Sequence, residues 1–123
     1  MKLLTTILFI LLFQQGWTQQ KIETFFENGR LASTGVLALG QETGLWVYYD
    51  STGVKLQETE FKNGKVNGKL TYFFRDGVIK NQGSFSMGVL HGYFFENYIT
   101  GKPRITGYYS QAQKDSIWSQ YAA

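Results

Sequence analysis

The sequence predicts an all-β fold built from stacked β-hairpin repeats. Three observations carry this. First, the thirteen glycines after Gly16 fall on four phases of a 24-residue period: Gly29, Gly53, Gly77 and Gly101; Gly44, Gly68 and Gly92; Gly40, Gly64 and Gly88; Gly35, Gly83 and Gly107. Four phases in 24 is about one chance in six per glycine, and self-similarity at a fixed period outranks any local reading. Second, aromatic and β-branched runs alternate with Asn-Gly and Asp-Gly turn signals. Third, no segment sustains a helical period, and proline occurs once, as Pro103.

The N-terminal segment stands apart from the repeat. Lys2 precedes an apolar stretch from Leu3 to Phe13, interrupted by Thr5 and Thr6 and followed by Gln14 and Gln15, with Gly16 and Thr18 small enough for a cleavage site. This is the layout of a secretory signal peptide, residues 1–18, with the cut expected between Thr18 and Gln19. The alternatives are a retained anchor and a buried N-terminal element. The apolar run is about eleven residues, against roughly 20 for a membrane span. The expected localisation is therefore exported, periplasmic or extracellular.

The mature chain, 19–123, suits one domain able to bury a useful core. Without Lys2 it carries eleven Lys and Arg against nine Asp and Glu, so its net charge is +2. The basic residues are scattered, which argues against a nucleic-acid partner. With no cysteine, the domain must be held by packing and sheet hydrogen bonds, and thiolate metal sites, thiol catalysis and a lipidated cysteine are excluded.

The units run 20–43, 44–67, 68–91 and 92–115, with a partial unit 116–121. Position three of the unit is Ile22, Trp46, Leu70, Phe94 and Trp118; position six is Phe25, Tyr49, Phe73, Asn97 and Tyr121; position eighteen is Leu37, Phe61, Phe85 and Tyr109. Each unit reads as two strands. The first is a short aromatic run, as in Trp46 to Tyr49, Leu70 to Phe74 and Tyr93 to Phe95. The second is longer and more polar: Val54 to Lys62, Val78 to Ser86, Lys102 to Ser110. Glu27-Asn28-Gly29, Asp50 to Gly53 and Arg75-Asp76-Gly77 join them, and a second turn signal comprises Lys62-Asn63-Gly64 and Asn67-Gly68. Gly35, Gly83 and Gly107 precede Leu37, Phe85 and Tyr109 by two residues, so those larger side chains are expected to lean over the glycines. In the second unit Thr59 takes the glycine's place. Positions three and six lie on opposite faces of a regular strand. Either both faces carry aromatics, or a bulge redirects one set.

The pattern Gly44-Leu-Trp46-Val-Tyr-Tyr49…Gly53, then Phe61-Lys-Asn-Gly64-Lys-Val-Asn-Gly68, resembles the bacterial MORN-repeat variant. It recurs as Phe85-Ser-Met-Gly88-Val-Leu-His-Gly92-Tyr-Phe94 and decays at the ends, where Gln20 and Ser116 replace the leading glycine and Ala112 another. The resemblance implies a single antiparallel β-meander, here of about nine strands. It also implies non-enzymatic roles: protein–protein scaffolding, and the membrane contact proposed for eukaryotic relatives. Some bacterial members carry an antitoxin-type label, whose cytoplasmic partner conflicts with the signal peptide, and it is not carried over.

Chemistry-bearing residues are sparse. His91, the single histidine, precedes Gly92 in the phase of Asn67 and is expected to be a polar turn residue. Glu58 and Glu60 share a strand face at about 7 Å, within glycosidase range. The equivalent Gln82 and Ser84 make a solvated strand face the expectation. The expected chain is not an enzyme and has no cofactor and no metal. The aromatics remain. A single-layer sheet cannot bury both faces, and an exposed aromatic ladder marks an interaction site. Trp46, Tyr48, Tyr49, Tyr72, Phe73, Phe94, Trp118 and Tyr121 are the candidates. The expected role is a protein-interaction or scaffold module in the envelope. A cell-wall or carbohydrate-binding module and a membrane-surface binder are the alternatives. Open sheet edges also allow self-association.

Overall fold

A computed structural model describes residues 19–123. The expected signal peptide, residues 1–18, lies outside the described residues. The strands are β1 (Gln19–Phe25), β2 (Leu31–Ala38), β3 (Gln41–Tyr49), β4 (Lys55–Lys62), β5 (Lys65–Phe73), β6 (Ile79–Ser86), β7 (Val89–Leu90), β8 (Gly92–Asn97), β9 (Pro103–Ser110) and β10 (Gln113–Gln120). They form one open antiparallel sheet in sequence order, with β7 alongside β6. The strands β2, β4, β6 and β9 begin at Leu31, Lys55, Ile79 and Pro103, each 24 residues after the last. The fold is the expected all-β meander. It has ten strands rather than about nine because His91 divides one repeat strand into β7 and β8.

The two ends of the sheet turn differently. At one end Phe26, Asp50, Phe74 and Tyr98 each donate N–H to the carbonyl four residues on, and Gly29, Gly53, Gly77 and Gly101 donate back to them. Only the glycine has positive φ in these turns, from 83° to 93°. At the other end two residues close each hairpin, both with positive φ: Leu39-Gly40, Asn63-Gly64, Met87-Gly88 and Gln111-Ala112. This is the turn geometry whose twist matches antiparallel strands. These tight turns shorten the connection, so β3 and β5 start well before the aromatic runs that mark them in the sequence.

The glycine phase of Gly44, Gly68 and Gly92 builds bulges, not turns. Thr34 and Val36 of β2 pair with Val47 and Thr43 of β3, leaving three residues opposite one. The same jump recurs where Thr59 and Phe61 pair with Leu70 and Val66. Gly44, Gly68 and Gly92 have φ of 69°, 111° and 114°, and Ser116 adopts 61° at the matching site in β10. The expected turn at Asn67-Gly68 is therefore a bulge inside β5.

Side chains of alternating size replace a second layer. Across one face, Trp46 pairs with Thr59, Thr59 with Leu70, and Leu70 with Gly83. Ile22 pairs with Gly35 and Phe94 with Gly107 in the same row. Each large residue lies over a small neighbour. Ile22 and Trp46 are the buried hydrophobics, and Thr59 is the most buried side chain. At Gly35 and Gly107 the covering residue is Trp46 or Trp118 from the next strand, rather than the expected Leu37 or Tyr109. At Gly83 the Phe85 ring does lie over the glycine, with Leu90 and Phe94.

Both faces carry aromatics. Trp46 is on the row just described, the indole face. Lys55 Nζ lies 4.4 Å from the Phe73 ring centre and 2.6 Å from Glu58 Oε1. Glu58 pairs with Thr71, two residues before Phe73, so position six faces away from the indoles. A register shift does fall beside it, between Tyr72 and Phe73, with the extra residue, Lys80, on β6.

Candidate interaction surface

The eight aromatics singled out by the repeat divide by burial. Trp46 is 7% exposed, and its Nε1 donates to the Val36 carbonyl at 3.2 Å. Trp118 repeats this bond to Tyr108 at 3.2 Å. It also packs against Tyr109 and Phe94, with ring centres 4.9 and 5.7 Å away. These three rings are largely spent on one another. Tyr48, Tyr49 and Phe73 are half-buried. Burial, then the nearby Glu42 charge, pushes the Tyr48 hydroxyl pKa up. Tyr72 and Tyr121 are exposed.

Tyr72 has the richest polar setting. It pairs with Gln57 on one side and Asn81 on the other, so a phenol sits between two amides. Leu56, Phe73 and Lys80 complete an open depression of about 450 Å³. Tyr72 is 40% exposed there.

A second cluster lies on the face opposite the indoles. Tyr93 pairs directly with Tyr108. Its ring centre is 5.3 Å from that of Tyr108 and 5.8 Å from that of Phe95. Tyr93 is 43% exposed and Tyr108 53%. Tyrosines this exposed and this close form a contiguous apolar surface with polar tips. They occupy repeat positions two and seventeen, which hold Lys21, Leu45, Lys69 and Ile117, and Val36, Glu60 and Ser84, in the other units. A reading that averages over units passes them by. The local signal was the doubled aromatics Tyr93-Phe94-Phe95 and Tyr108-Tyr109.

The candidate chemical groups serve the backbone. Glu58 pairs with Lys55, and Glu60 Oε2 accepts from the Lys69 N–H at 2.5 Å, bracing the Gly68 bulge. His91 sits at the strand break rather than in a turn. Its Nδ1 accepts from the Gln111 N–H at 3.2 Å, as Asn67 Oδ1 accepts from Met87 N–H at 3.0 Å. Among the described residues, no group of three or more His, Cys, Asp or Glu side chains is placed to hold a metal ion. No helix among them is long and apolar enough to cross a membrane.

In comparisons with known proteins, no family model matches this chain and no curated protein matches it significantly.

Proposed function

We propose that this chain is an exported, non-catalytic β-hairpin repeat protein of MORN-variant type. It acts as a protein–protein interaction or scaffold module in the periplasm or outside the cell. The observation that carries this reading is the exposed Tyr93 and Tyr108 pair, packed with half-buried Phe95, on a sheet with no covering layer among the described residues. Paired tyrosines supply large rigid contact area at small entropy cost, which favours protein surfaces. The resemblance of the repeat to MORN variants and the N-terminal apolar segment agree with it. The test is a pull-down from envelope extract with wild type and Tyr93→Ser/Tyr108→Ser. A partner retained by wild type and lost by the variant is expected. Equal recovery by both would refute it.

A second reading rests on Tyr72. A phenol flanked by Gln57 and Asn81 in an open depression suits a sugar ring, stacked on the aromatic and hydrogen-bonded by the amides. Calorimetric titration with peptidoglycan fragments would separate the readings. Heat that vanishes in Tyr72→Ala supports the glycan; no heat with wild type removes it.

A further inference from the structure

The free edge of β1 carries a charge pattern that points to a second copy of this chain. Among the described residues, β1 and β10 each have one side without a neighbour. β10 carries the repeat's bulge on the side facing β9, where pairing jumps from Asp115 with Tyr108 to Ser119 with Thr106 and Ser116 holds φ at 61°. β3 and β5 carry it towards β2 and β4 and pair in unbroken register past that site on their other side, from Gly44 to Tyr48 and from Gly68 to Tyr72, so it does not close the free side of β10. The free side of β1 is the side that is bulged in β3 and β5. Gln20 stands where those strands have their bulge glycine, and it lacks the positive φ of Gly44, Gly68, Gly92 and Ser116. Without that left-handed residue the free side of β1 is a regular strand edge.

The side chains of β1 then select a partner and a register. Ile22 lies on the indole face, and Lys21 and Glu23 lie on the other, 3.1 Å apart as an ion pair. Two copies of β1 related by a twofold axis would pair antiparallel and keep each face continuous. Directly opposite residues must then share a face, so the axis passes through a residue and not between two. Centring on Lys21 sets Lys21 against its own mate. Centring on Glu23 sets two carboxylates together. Centring on Ile22 sets each Lys21 opposite the other copy's Glu23, Gln20 opposite Thr24, and Ile22 against itself. Opposite charges directly across antiparallel strands stabilise a pair, and like charges destabilise it.

We propose that the chain forms a twofold homodimer by antiparallel β1–β1 pairing centred on Ile22, joining two sheets edge to edge. Such an interface is isologous and closes on itself, so it ends at a dimer. It is independent of partner binding at Tyr93 and Tyr108, which lie on β8 and β9 near the far edge.

The test is a charge swap in the full chain, sized by sedimentation velocity up to on the order of 100 µM, with sheet content checked by circular dichroism. Wild type should dimerise. Lys21→Glu alone and Glu23→Lys alone should each weaken association about tenfold, since each sets like charges opposite at both symmetric sites. The double variant Lys21→Glu/Glu23→Lys should recover wild-type association, because it restores both cross-strand pairs and the pair within β1. Wild type that stays monomeric overturns the dimer and leaves the edge to a strand from another protein. Single variants that dimerise like wild type, or a double variant that fails to recover, overturn the Ile22-centred register.

Discussion

The Trp46 indole lies flat across Gly35, so that a Cβ at residue 35 would fall inside the ring. Trp118 lies across Gly107 in the same way three repeats later, and both indoles donate to the carbonyl of the residue after the glycine. A sheet with one layer has no opposing layer to receive large side chains. Here each large residue takes the volume that its neighbour lacks, and the core becomes a row running across the strands.

That arrangement makes Gly35→Ala costly. The flanking tryptophan cannot move without losing its bond to Val36 and its contact with Phe61, 6.2 Å between ring centres. Overpacking of this kind costs about 3 kcal/mol, the upper end of its usual range. Gly83→Ala should cost less, since its nearest neighbours, Leu90 and Phe85, would stand 3.2 and 3.3 Å from the new Cβ. Urea denaturation followed by tryptophan fluorescence measures both. A loss at Gly35 no larger than at Gly83 would mean that the indole is easily displaced.

Stabilisation should come from the tight turns. Met87 and Ala112 hold φ at 45° and 64°, where Asn63 and Gly64 supply the favoured residue pair in the second unit. A residue with a side chain in this region carries strain of about 1 kcal/mol or more. Met87→Asn and Ala112→Gly should each raise the melting temperature by a few degrees, about 1 kcal/mol in a domain of this size. Asn63→Met should lower it by a similar amount. Calorimetry on the three variants checks the set, and a Met87→Asn that melts below wild type would remove strain as the explanation.

The sequence made the hairpin period legible but not the separate tasks of its glycines. Phases Gly29, Gly40 and Gly44 need positive φ, whereas Gly35, Gly83 and Gly107 have negative φ and provide space. A missing side chain looks the same in both cases. The hint lay in Thr59, because a β-branched residue tolerates a space-limited strand site far better than a left-handed one. Turns and bulges were confused at Asn67-Gly68 for the same reason. The exposed surface was harder still. Tyr93 and Tyr108 form a pair in only one repeat, and Trp46, which looks equivalent to any exposed aromatic in sequence, is hidden against Gly35 on the adjacent strand.

His91 and Asn67 should be interchangeable as braces. Each accepts from a backbone N–H twenty residues on, where the next tight turn begins. His91→Asn should therefore hold stability within about 0.5 kcal/mol. His91→Ala removes the acceptor and should cost about 1 kcal/mol. Hydrogen exchange at the Gln111 amide gives a direct local readout: it should quicken in the alanine variant and stay slow in the asparagine one. Unchanged exchange in both would show that the Ala112 N–H bond to Leu90, 2.7 Å, holds the turn alone.

Acid sensitivity should concentrate at Asp50. Its carboxylate accepts from the Thr52 hydroxyl at 2.6 Å and from the Thr52 and Val54 N–H groups at 2.9 and 3.1 Å, and it pairs with Arg75 at 3.0 Å. The Thr52 hydroxyl bond, then the backbone bonds and the Arg75 charge, hold its pKa below the ordinary carboxylate value despite some desolvation. A folded-state pKa lower than the unfolded one contributes stability that is complete above the unfolded pKa. That contribution is lost as pH falls through the folded value. Wild type should thus lose stability on acidification in the range below ordinary aspartate titration, as this turn loses its acceptor. Asp50→Asn should be less stable at neutral pH and show a flatter acid limb, because the amide cannot titrate. Urea midpoints measured from neutral pH down to about pH 2 compare the two slopes. Parallel acid limbs would assign the pH dependence to other carboxylates, and an Asp50 titration at or above the ordinary value by NMR would remove the turn network as its cause.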